Sequence, residues 1–322
     1  MVAIGIVYYV YTPISIINLN KNIDLSDPLI LDNKRLGLGK SLEKSLLFFL
    51  PKDTGKTPTL LHLFLGNQRK LLDLRFNQAI KEIKDTKVNS GEIKIWSLMN
   101  MGVVIKTSNK TIAIDVADMP FSRVQKKLTD IVDLILITHS DSDHYDSALL
   151  KMALKKDKTV IFPENFSFLY DNENSSKVFK LKDGEKITSN SINITAFQTD
   201  HRNDNNFFEP NAWYLIEIDG FKIIHTGDGW NFKDKNKKEF LKNIKVDLFL
   251  SNVKNHPYNI RDIKPKVVVP LHLYKFMHSR EELTESTFDY TVNLYSQYQK
   301  DLQGIEKVYL FPGESFTYPL KK

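Results

Sequence analysis

From Gly91 onward, apolar residues occur in short runs separated by polar turns. Runs of this length that are rich in β-branched residues predict buried strands. The clearest are Ile131–Ile137, Asn193–Phe197, Tyr214–Ile218, Phe221–His225 and Lys266–His272. Asp219-Gly220 between two of these runs predicts a tight hairpin.

Other segments complete a two-layered pattern. Val103–Lys106 and Thr111–Asp115 predict a second hairpin, and Val308–Phe311 predicts a closing strand. Apolar residues at helical spacing predict helices instead in Ser41–Leu50, Leu71–Ile83 and Glu281–Tyr298. Strands in this number with separate helices predict an α+β fold, in which two stacked sheets carry outer helices.

The loop Thr138–Asp146 follows the first of these strands directly and contains four potential metal ligands: His139, Asp141, Asp143 and His144. Loops that leave a buried strand commonly carry functional residues. His139 and Asp141 are two residues apart, so in extended backbone their side chains point the same way. The adjacent pair Asp143 and His144 diverges, which suits a second ion. A solvated polar loop with incidental histidines is the alternative interpretation.

Three later strands each deliver one further candidate ligand at or just beyond their end: His201, Asp228 and His272. Imidazole and carboxylate together suit zinc, manganese or iron. The pattern therefore predicts a polynuclear metal site assembled from distant parts of the chain. Asp115, which also ends a strand, is either a carboxylate that accepts a ligand imidazole N–H or an exposed turn residue.

The order of these residues resembles the metallo-β-lactamase fold superfamily, whose signature is a His-x-His-x-Asp-His loop, a lone His, a Gly-Asp and a last His. Ile112–Asp115, Ile223–Asp228, Lys264–His272 and Phe311–Glu314 resemble most the branch of ascorbate-6-phosphate lactonase-like and N-acyl-phosphatidylethanolamine phospholipase D-like hydrolases. The resemblance extends from about Gly91 to the C-terminus. It implies a four-layer αββα sandwich over residues 91–322, preceded by a mainly helical extension over residues 21–90.

Position by position, the resemblance implies one metal held by His139, Asp141 and His201. A second metal would be held by Asp143, His144 and His272, and Asp228 would bridge the two metals. These seven residues make up the predicted site. The expected cofactors are one or two divalent transition metals, with zinc favoured.

Asp141 departs from the family pattern, which has a second histidine there. A carboxylate makes the first position harder and more anionic, which favours manganese or iron relative to zinc. A weakened or vacant first position stays open.

Such a site implies hydrolysis by a metal-bound hydroxide. Asp143 and Asp228 would be the catalytic carboxylates that orient it. The expected substrate is a small-molecule or lipid-like ester, lactone or phosphodiester. No serine nucleophile stands in a Gly-x-Ser-x-Gly setting. Two alternatives stay open: a nuclease of the same fold, and a non-catalytic binding module in which Asp141 marks a degenerating site.

Composition narrows these alternatives only partly. The chain has 322 residues and no cysteine, which excludes disulfides, thiolate ligands and cysteine nucleophiles. The 45 basic and 39 acidic residues leave a formal charge of +6, which falls short of a nucleic-acid footprint.

The N-terminal segment, residues 1–20, has no charged residue between Val2 and Ile17. It predicts either a membrane anchor or an apolar element packed on the protein. We therefore expect membrane association through this segment, with a cytoplasmic protein as the alternative. A second expectation concerns the loop Arg202–Pro210, whose aromatic residues would wall the substrate pocket or close a surface loop.

Overall fold

We describe a computed structural model of the chain. It describes residues 20–22, 27, 29, 31–47, 58–117, 125–166, 175–202, 208–229, 235–252, 257–273 and 288–320. Residues 1–19 of the predicted anchor at residues 1–20 lie outside these ranges, and so do residues 203–207 of the predicted pocket wall at Arg202–Pro210.

Two seven-stranded sheets form the centre of the molecule. The strands of the first sheet, in chain order, are β1 (Ile93–Ser97), β2 (Val103–Lys106), β3 (Thr111–Ile114), β4 (Leu134–Leu136), β5 (Thr159–Pro163), β6 (Val178–Leu181) and β14 (Ser315–Tyr318). Their spatial order is β14-β1-β2-β3-β4-β5-β6. Pairing is antiparallel from β14 to β3 and parallel from β3 to β6.

The second sheet repeats this plan. Its strands are β7 (Lys186–Ser189), β8 (Ile192–Arg202), β9 (Phe208–Ile218), β10 (Phe221–His225), β11 (Leu248–Asn252), β12 (Val267–Leu271) and β13 (Glu306–Lys307), in that spatial order. Pairing is antiparallel from β7 to β10 and parallel from β10 to β13. Asp219-Gly220 makes the predicted hairpin, with Ile218 opposite Phe221.

Alternation along the strands sorts the apolar side chains into two cores. In β3, Ile112 and Ile114 belong to the core between the sheets, whereas Ala113 belongs to the core beneath the helices. In β10, Ile223 and Ile224 divide in the same way. Both faces of each sheet are therefore buried, which explains why these strands are nearly continuous apolar runs.

Helices form the outer layers. They are α1 (Asn33–Leu47), α2 (Pro58–Asp85), α3 (Ser147–Lys155), α4 (Lys235–Lys242), α5 (Pro257–Ile263) and α6 (Phe288–Gln297), with a 3₁₀ turn at Gln125–Asp130. The Asp146 carboxylate caps α3 by accepting from Ala148 N and Leu149 N. The prediction of a four-layer α+β sandwich preceded by helices is confirmed.

Several predicted elements differ from the observed ones. The helix predicted for Ser41–Leu50 overlaps α1, which begins earlier, at Asn33. The helix predicted for Leu71–Ile83 is the second half of the longer α2. The strand predicted for Val308–Phe311 is wrong: the ladder ends at Lys307, after which the chain turns at Phe311–Gly313 to reach β14. Val308 N still bonds Val268 O, so the run stays buried without continuing the strand.

The N-terminal helices are fixed to the domain by buried polar contacts. Arg35 of α1 bonds both carboxylate oxygens of Glu314 and the carbonyl of Tyr309. Arg75 of α2 donates to Pro312 O at 2.9 Å. No helix among the described residues is both long and apolar enough to cross a bilayer.

Candidate metal centre

The candidate ligands meet where parallel strands of the two sheets end. The loop 138–146 follows β4, Asp228 follows β10 and His272 follows β12, while His201 lies near the end of β8. Crevices outside the carboxyl ends of parallel strands are the usual place for sites in such sheets. All seven predicted residues are thus brought to one edge of the sandwich.

His139, Asp141 and His201 form the first group. The Asp141 Oδ2 atom is 3.3 Å from His139 Nε2 and 3.2 Å from His201 Nε2. Both rings are buried, whereas the Asp141 side chain is 32% exposed. One ligand atom from each residue lies within 4.8 Å of the others, close enough to share a cation.

Asp143, His144 and His272 form the second group, and all three are buried. Asp143 Oδ2 is 3.4 Å from His144 Nε2 and 3.3 Å from His272 Nε2. Asp228 approaches the same two rings, with Oδ1 3.5 Å from His144 Nε2 and Oδ2 3.6 Å from His272 Nε2. The rings of His139 and His144 lie 3.9 Å apart between centroids, so the two groups are contiguous.

The buried carboxylate of Asp115 fixes the orientation of the His144 ring directly and of the His139 ring through Thr138. Asp115 Oδ2 is 2.9 Å from His144 Nδ1 and accepts the Thr138 hydroxyl at 2.6 Å, while Oδ1 accepts Thr138 N at 2.8 Å. Thr138 Oγ1 is 3.0 Å from His139 Nδ1. Because the Thr138 proton goes to Asp115, the His139 Nδ1–H donates to Thr138 Oγ1, and Nε2 of each ring keeps a lone pair.

Asn211 shapes the turn that carries Asp228. Its Oδ1 accepts Asp228 N at 3.1 Å, and its Nδ2 donates to Thr226 O at 3.0 Å. Gly227 has φ of +51°, and a Cβ there would lie 2.5 Å from Thr138 Oγ1. Glycine is therefore required both by the backbone conformation and by the close approach of the ligand loop.

Two asparagines bond the acidic ligands, and sequence reasoning missed both. Asn100, in the turn between β1 and β2, donates Nδ2 to Asp143 Oδ2 at 2.7 Å. Asn252, at the end of β11, donates Nδ2 to Asp228 Oδ1 at 2.6 Å. A strand that ends in a polar residue was the available signal for Asn252, whereas the turn residue Asn100 carried none.

Electrostatics in the cluster favour positive charge. Burial alone would lower the pKa of His144, but the carboxylates of Asp143, Asp228 and Asp115 raise it well above its ordinary value. Burial opposes ionisation of Asp228, but the rings of His272 and His144 hold the pKa of its carboxyl well below its ordinary value. Without metal these carboxylates favour a proton on His144, and a divalent cation would take the place of that proton among the same groups.

The donor set fits a metal cation. Among the described residues, the buried Nε2 atoms of His139 and His144 have no hydrogen-bond partner and face carboxylate oxygens instead. Two acceptor atoms at such distances repel each other unless a cation lies between them. Imidazole and carboxylate are the ligands that borderline divalent metals take.

His225, the last residue of β10, is not part of this set. It is buried, its Nε2 donates to Met101 O at 2.9 Å, and its Nδ1 accepts Gly227 N at 3.2 Å. Burial lowers the pKa of this ring, which keeps it neutral. His225 therefore links the Asn100 turn to the Asp228 turn.

A sequence model described as "Beta-lactamase superfamily domain" matches residues 95–272. This span is more than half of the chain, and it contains all seven candidate ligands. It lies within the predicted hydrolase domain at residues 91–322; the boundary at residue 91 itself stays a prediction.

Sequence relatives agree with this match. A UPF0173 protein from Pyrococcus abyssi is 28% identical over 173 residues, which are 52% of this chain and 78% of that protein. A UPF0173 metal-dependent hydrolase from Thermococcus onnurineus is 30% identical over 157 residues, which are 44% of this chain and 66% of that protein.

Solved structures show the same fold. Igni18, a metallo hydrolase from Ignicoccus hospitalis, superimposes with a TM-score of 0.54 at 17% identity, covering 71% of this chain and all of that one. CmlA, a diiron β-hydroxylase from Streptomyces venezuelae, superimposes with a TM-score of 0.53 at 13% identity, covering 73% of this chain and 55% of that one. With two seven-stranded sheets and a His/Asp cluster at their shared edge, the chain belongs to the metallo-β-lactamase superfamily of metal-dependent hydrolases.

Proposed function

We propose that this protein hydrolyses an ester, lactone or phosphodiester bond at a site that holds one or two divalent transition metals. The observation that carries the proposal is the set of imidazole Nε2 atoms that face carboxylate oxygens at 3.2–3.6 Å. Among the described residues, His201 Nε2 lies within hydrogen-bond distance of Asp141 Oδ2, whereas the buried Nε2 atoms of His139 and His144 have no hydrogen-bond partner.

In this proposal His139, Asp141 and His201 would hold the first cation, and Asp143, His144 and His272 would hold the second. Asp228, which faces the rings of His144 and His272, would serve both. A divalent cation bound there would act as a Lewis acid and lower the pKa of water toward neutrality.

The protein's own groups prepare the site for that chemistry. Asp115 accepts the Nδ1–H of His144. The His144 ring is therefore held with Nε2 pointing into the cluster before a cation binds. Asn211 fixes the peptide of Asp228. Asp143 and Asp228 face the rings of His144 and His272, so they would orient an attacking water by accepting its hydrogen.

The substrate class in this proposal follows from the chemistry of the site rather than from a shaped pocket. The cavity beside His272, lined by Ser97, Leu98 and Asn100 among others, is about 10 Å³ and has room for a single water molecule. It does not select between an ester, a lactone and a phosphodiester.

Asp141 bears on which metal the first position takes. A carboxylate there favours manganese or iron relative to zinc. Asp141→His should therefore raise the zinc-to-manganese ratio of protein loaded from an equimolar mixture. An unchanged ratio, measured by plasma emission spectrometry, would show that Asp141 is not a ligand.

The proposed activity can be tested with protein stripped of metal and reloaded with zinc, manganese or iron(II). Bis(p-nitrophenyl) phosphate, a p-nitrophenyl acyl ester and an aliphatic lactone represent the three substrate classes. We expect turnover of one class, loss of that turnover with a chelator, and recovery on adding metal.

The matched variants are Asp228→Asn and Asp133→Asn. Asp133 also follows a turn and accepts a backbone N–H, that of Thr111, at 2.8 Å, but it lies outside the cluster. We expect only Asp228→Asn to abolish turnover. A folded protein that binds no transition metal and hydrolyses none of the three substrates would be a binding module rather than an enzyme.

A further inference from the structure

Both asparagine contacts reach carboxylates that face the second group of rings in the candidate metal centre. Asn100 bonds Asp143 and Asn252 bonds Asp228, and both of those carboxylates face the rings of His144 and His272. The asparagines are almost fully buried, at 5% and 1% exposure. Their amides therefore act on the carboxylates without competition from solvent.

Each asparagine is held at a second point, so its amide cannot swing away. Asn100 has φ of +50°, and its carbonyl accepts the backbone N–H of His272 at 3.1 Å. Asn252 N donates to Thr226 Oγ1 at 3.0 Å, two residues before Asp228. The same asparagines thus fix both the backbone and the side chains of this part of the site.

An amide bond to a carboxylate oxygen uses one of its two lone pairs. The same Asp143 Oδ2 atom lies 3.4 and 3.3 Å from His144 Nε2 and His272 Nε2, so the amide holds the oxygen that faces these rings. A carboxylate fixed in this way loses little rotamer freedom when it binds a cation. Ligands braced by outer partners bind metal more tightly than unbraced ones.

The first group is less constrained. Asp141 is one-third exposed, and the buried Nδ1 of His201 has no hydrogen-bond partner within the described part of the chain. In the second group, by contrast, His144 Nδ1 is bonded to the buried carboxylate of Asp115. Rigid, desolvated ligands on one side and a more open set on the other predict unequal affinities.

We propose that Asn100 and Asn252 are positioning residues that brace Asp143 and Asp228, and that they make the position bounded by Asp143, His144 and His272 the first to fill with metal. The position bounded by His139, Asp141 and His201 then fills second and exchanges its metal more readily. This inference rests on the proposed metal site but does not depend on which bond the enzyme cleaves.

The test is a titration of the metal-free protein with Mn²⁺, in which binding is measured by calorimetry and by electron paramagnetic resonance. Asn100→Gly removes one amide and keeps a residue suited to positive φ, and Asn252→Ala removes the other. Asn190→Gly, which also starts from a left-handed turn residue (φ +51°), and Asn259→Ala, which removes another buried amide, are the matched controls.

We expect the wild type to show two unequal dissociation constants. Each brace variant should weaken the tighter one by about 10–100-fold, the usual effect of removing an outer partner of a metal ligand. The controls should leave both constants unchanged. Asp141→Ala should weaken binding only at the lower-affinity position. With one equivalent of Mn²⁺, this variant should give the same mononuclear spectrum as the wild type.

The proposal is overturned if Asp141→Ala weakens the tighter constant, or if the brace variants, folded as judged by thermal melting in chelator, keep wild-type affinities. These results differ from failure of the proposed function. In that case the wild type itself would bind no Mn²⁺, or would bind it without hydrolysing any test substrate.

Discussion

Two buried polar clusters in this protein differ in how their charges are balanced. At the junction with the N-terminal helices, Arg35 faces Glu314 one to one, and backbone groups of Tyr309 and Phe311 add hydrogen bonds to this pair. In the metal centre, Asp143 and Asp228 face Nε2 of His144, whose Nδ1 is already bonded to Asp115. The charges of the junction balance within the protein, whereas the several carboxylates of the metal centre suit a cation.

This difference separates a structural cluster from a functional one. Burial raises the pKa of Glu314 even though Arg35 opposes the shift, so the pair still bears a desolvation cost. The Arg35–Glu314 pair fixes the position at which α1 packs on the sandwich. The metal centre instead leaves its negative charge to be balanced by a metal ion. The stability of the protein should therefore depend on that ion.

The largest expected effect comes from unbalancing the junction. Arg35→Met leaves the Glu314 carboxylate buried without its cation and should cost about 3–5 kcal/mol of unfolding free energy. Arg35→Met combined with Glu314→Leu should recover most of that loss. Urea denaturation of stripped protein measures both. Equal losses in the single and double variants would mean that packing, rather than charge, holds the junction.

Adding metal should stabilise the protein through the other cluster alone. At a free metal concentration 100 times the dissociation constant, binding to the native state contributes about 2.7 kcal/mol. Arg35→Met should retain this increment. The measurement is the difference between melting curves with and without metal; an increment lost in Arg35→Met would show that the two clusters are coupled.

Weakening the support behind His144 should have a smaller effect. Asp115→Asn keeps a residue that tolerates the φ of +49° at this position but removes the negative acceptor of His144 Nδ1–H. Metal affinity should fall about 10–100-fold, which is ~1.4–2.7 kcal/mol. Calorimetric titration of Asp115→Asn beside Asp133→Asn tests this, since only the former should change.

The smallest effect is expected at a more exposed ion pair between the same two regions. Lys94 of β1 contacts Glu82 of α2, whose side chain is 38% exposed. Because solvent screens such pairs, Lys94→Met should change the unfolding free energy by only about 0.2–1 kcal/mol. A loss as large as that of Arg35→Met would show that burial does not set the difference between the two contacts.

Much of the fold and of the site could be predicted from local sequence. Short apolar runs have a period that specifies strands, and turn residues such as Asp219-Gly220 specify a hairpin whatever surrounds them. The loop His139–His144 carries its four candidate ligands within six consecutive residues. That His201, Asp228 and His272 would join them followed from their place at strand ends, since those ends meet at one edge of a sheet.

Other features depended on contacts between distant positions. The partners Asn100 and Asp143 are 43 positions apart, and Arg35 and Glu314 are 279 apart. A polar residue in a turn has the same local pattern whether it faces solvent or a buried carboxylate. The early end of the strand near Val308 likewise reflects the turn that carries β14 back to β1, which no local pattern indicates.

Local sequence thus specified most of the strands and helices and the chemical character of the ligands, because periodicity and ligand spacing are local properties of the chain. The order of those ligands along the chain carried the resemblance to the superfamily. Tertiary structure alone decided which side chains brace those ligands, which carboxylates lose their solvent, and where the N-terminal helices dock. The physical reason is that hydrogen bonds and desolvation depend on which atoms become neighbours, and neighbours are set only when the two sheets pack together.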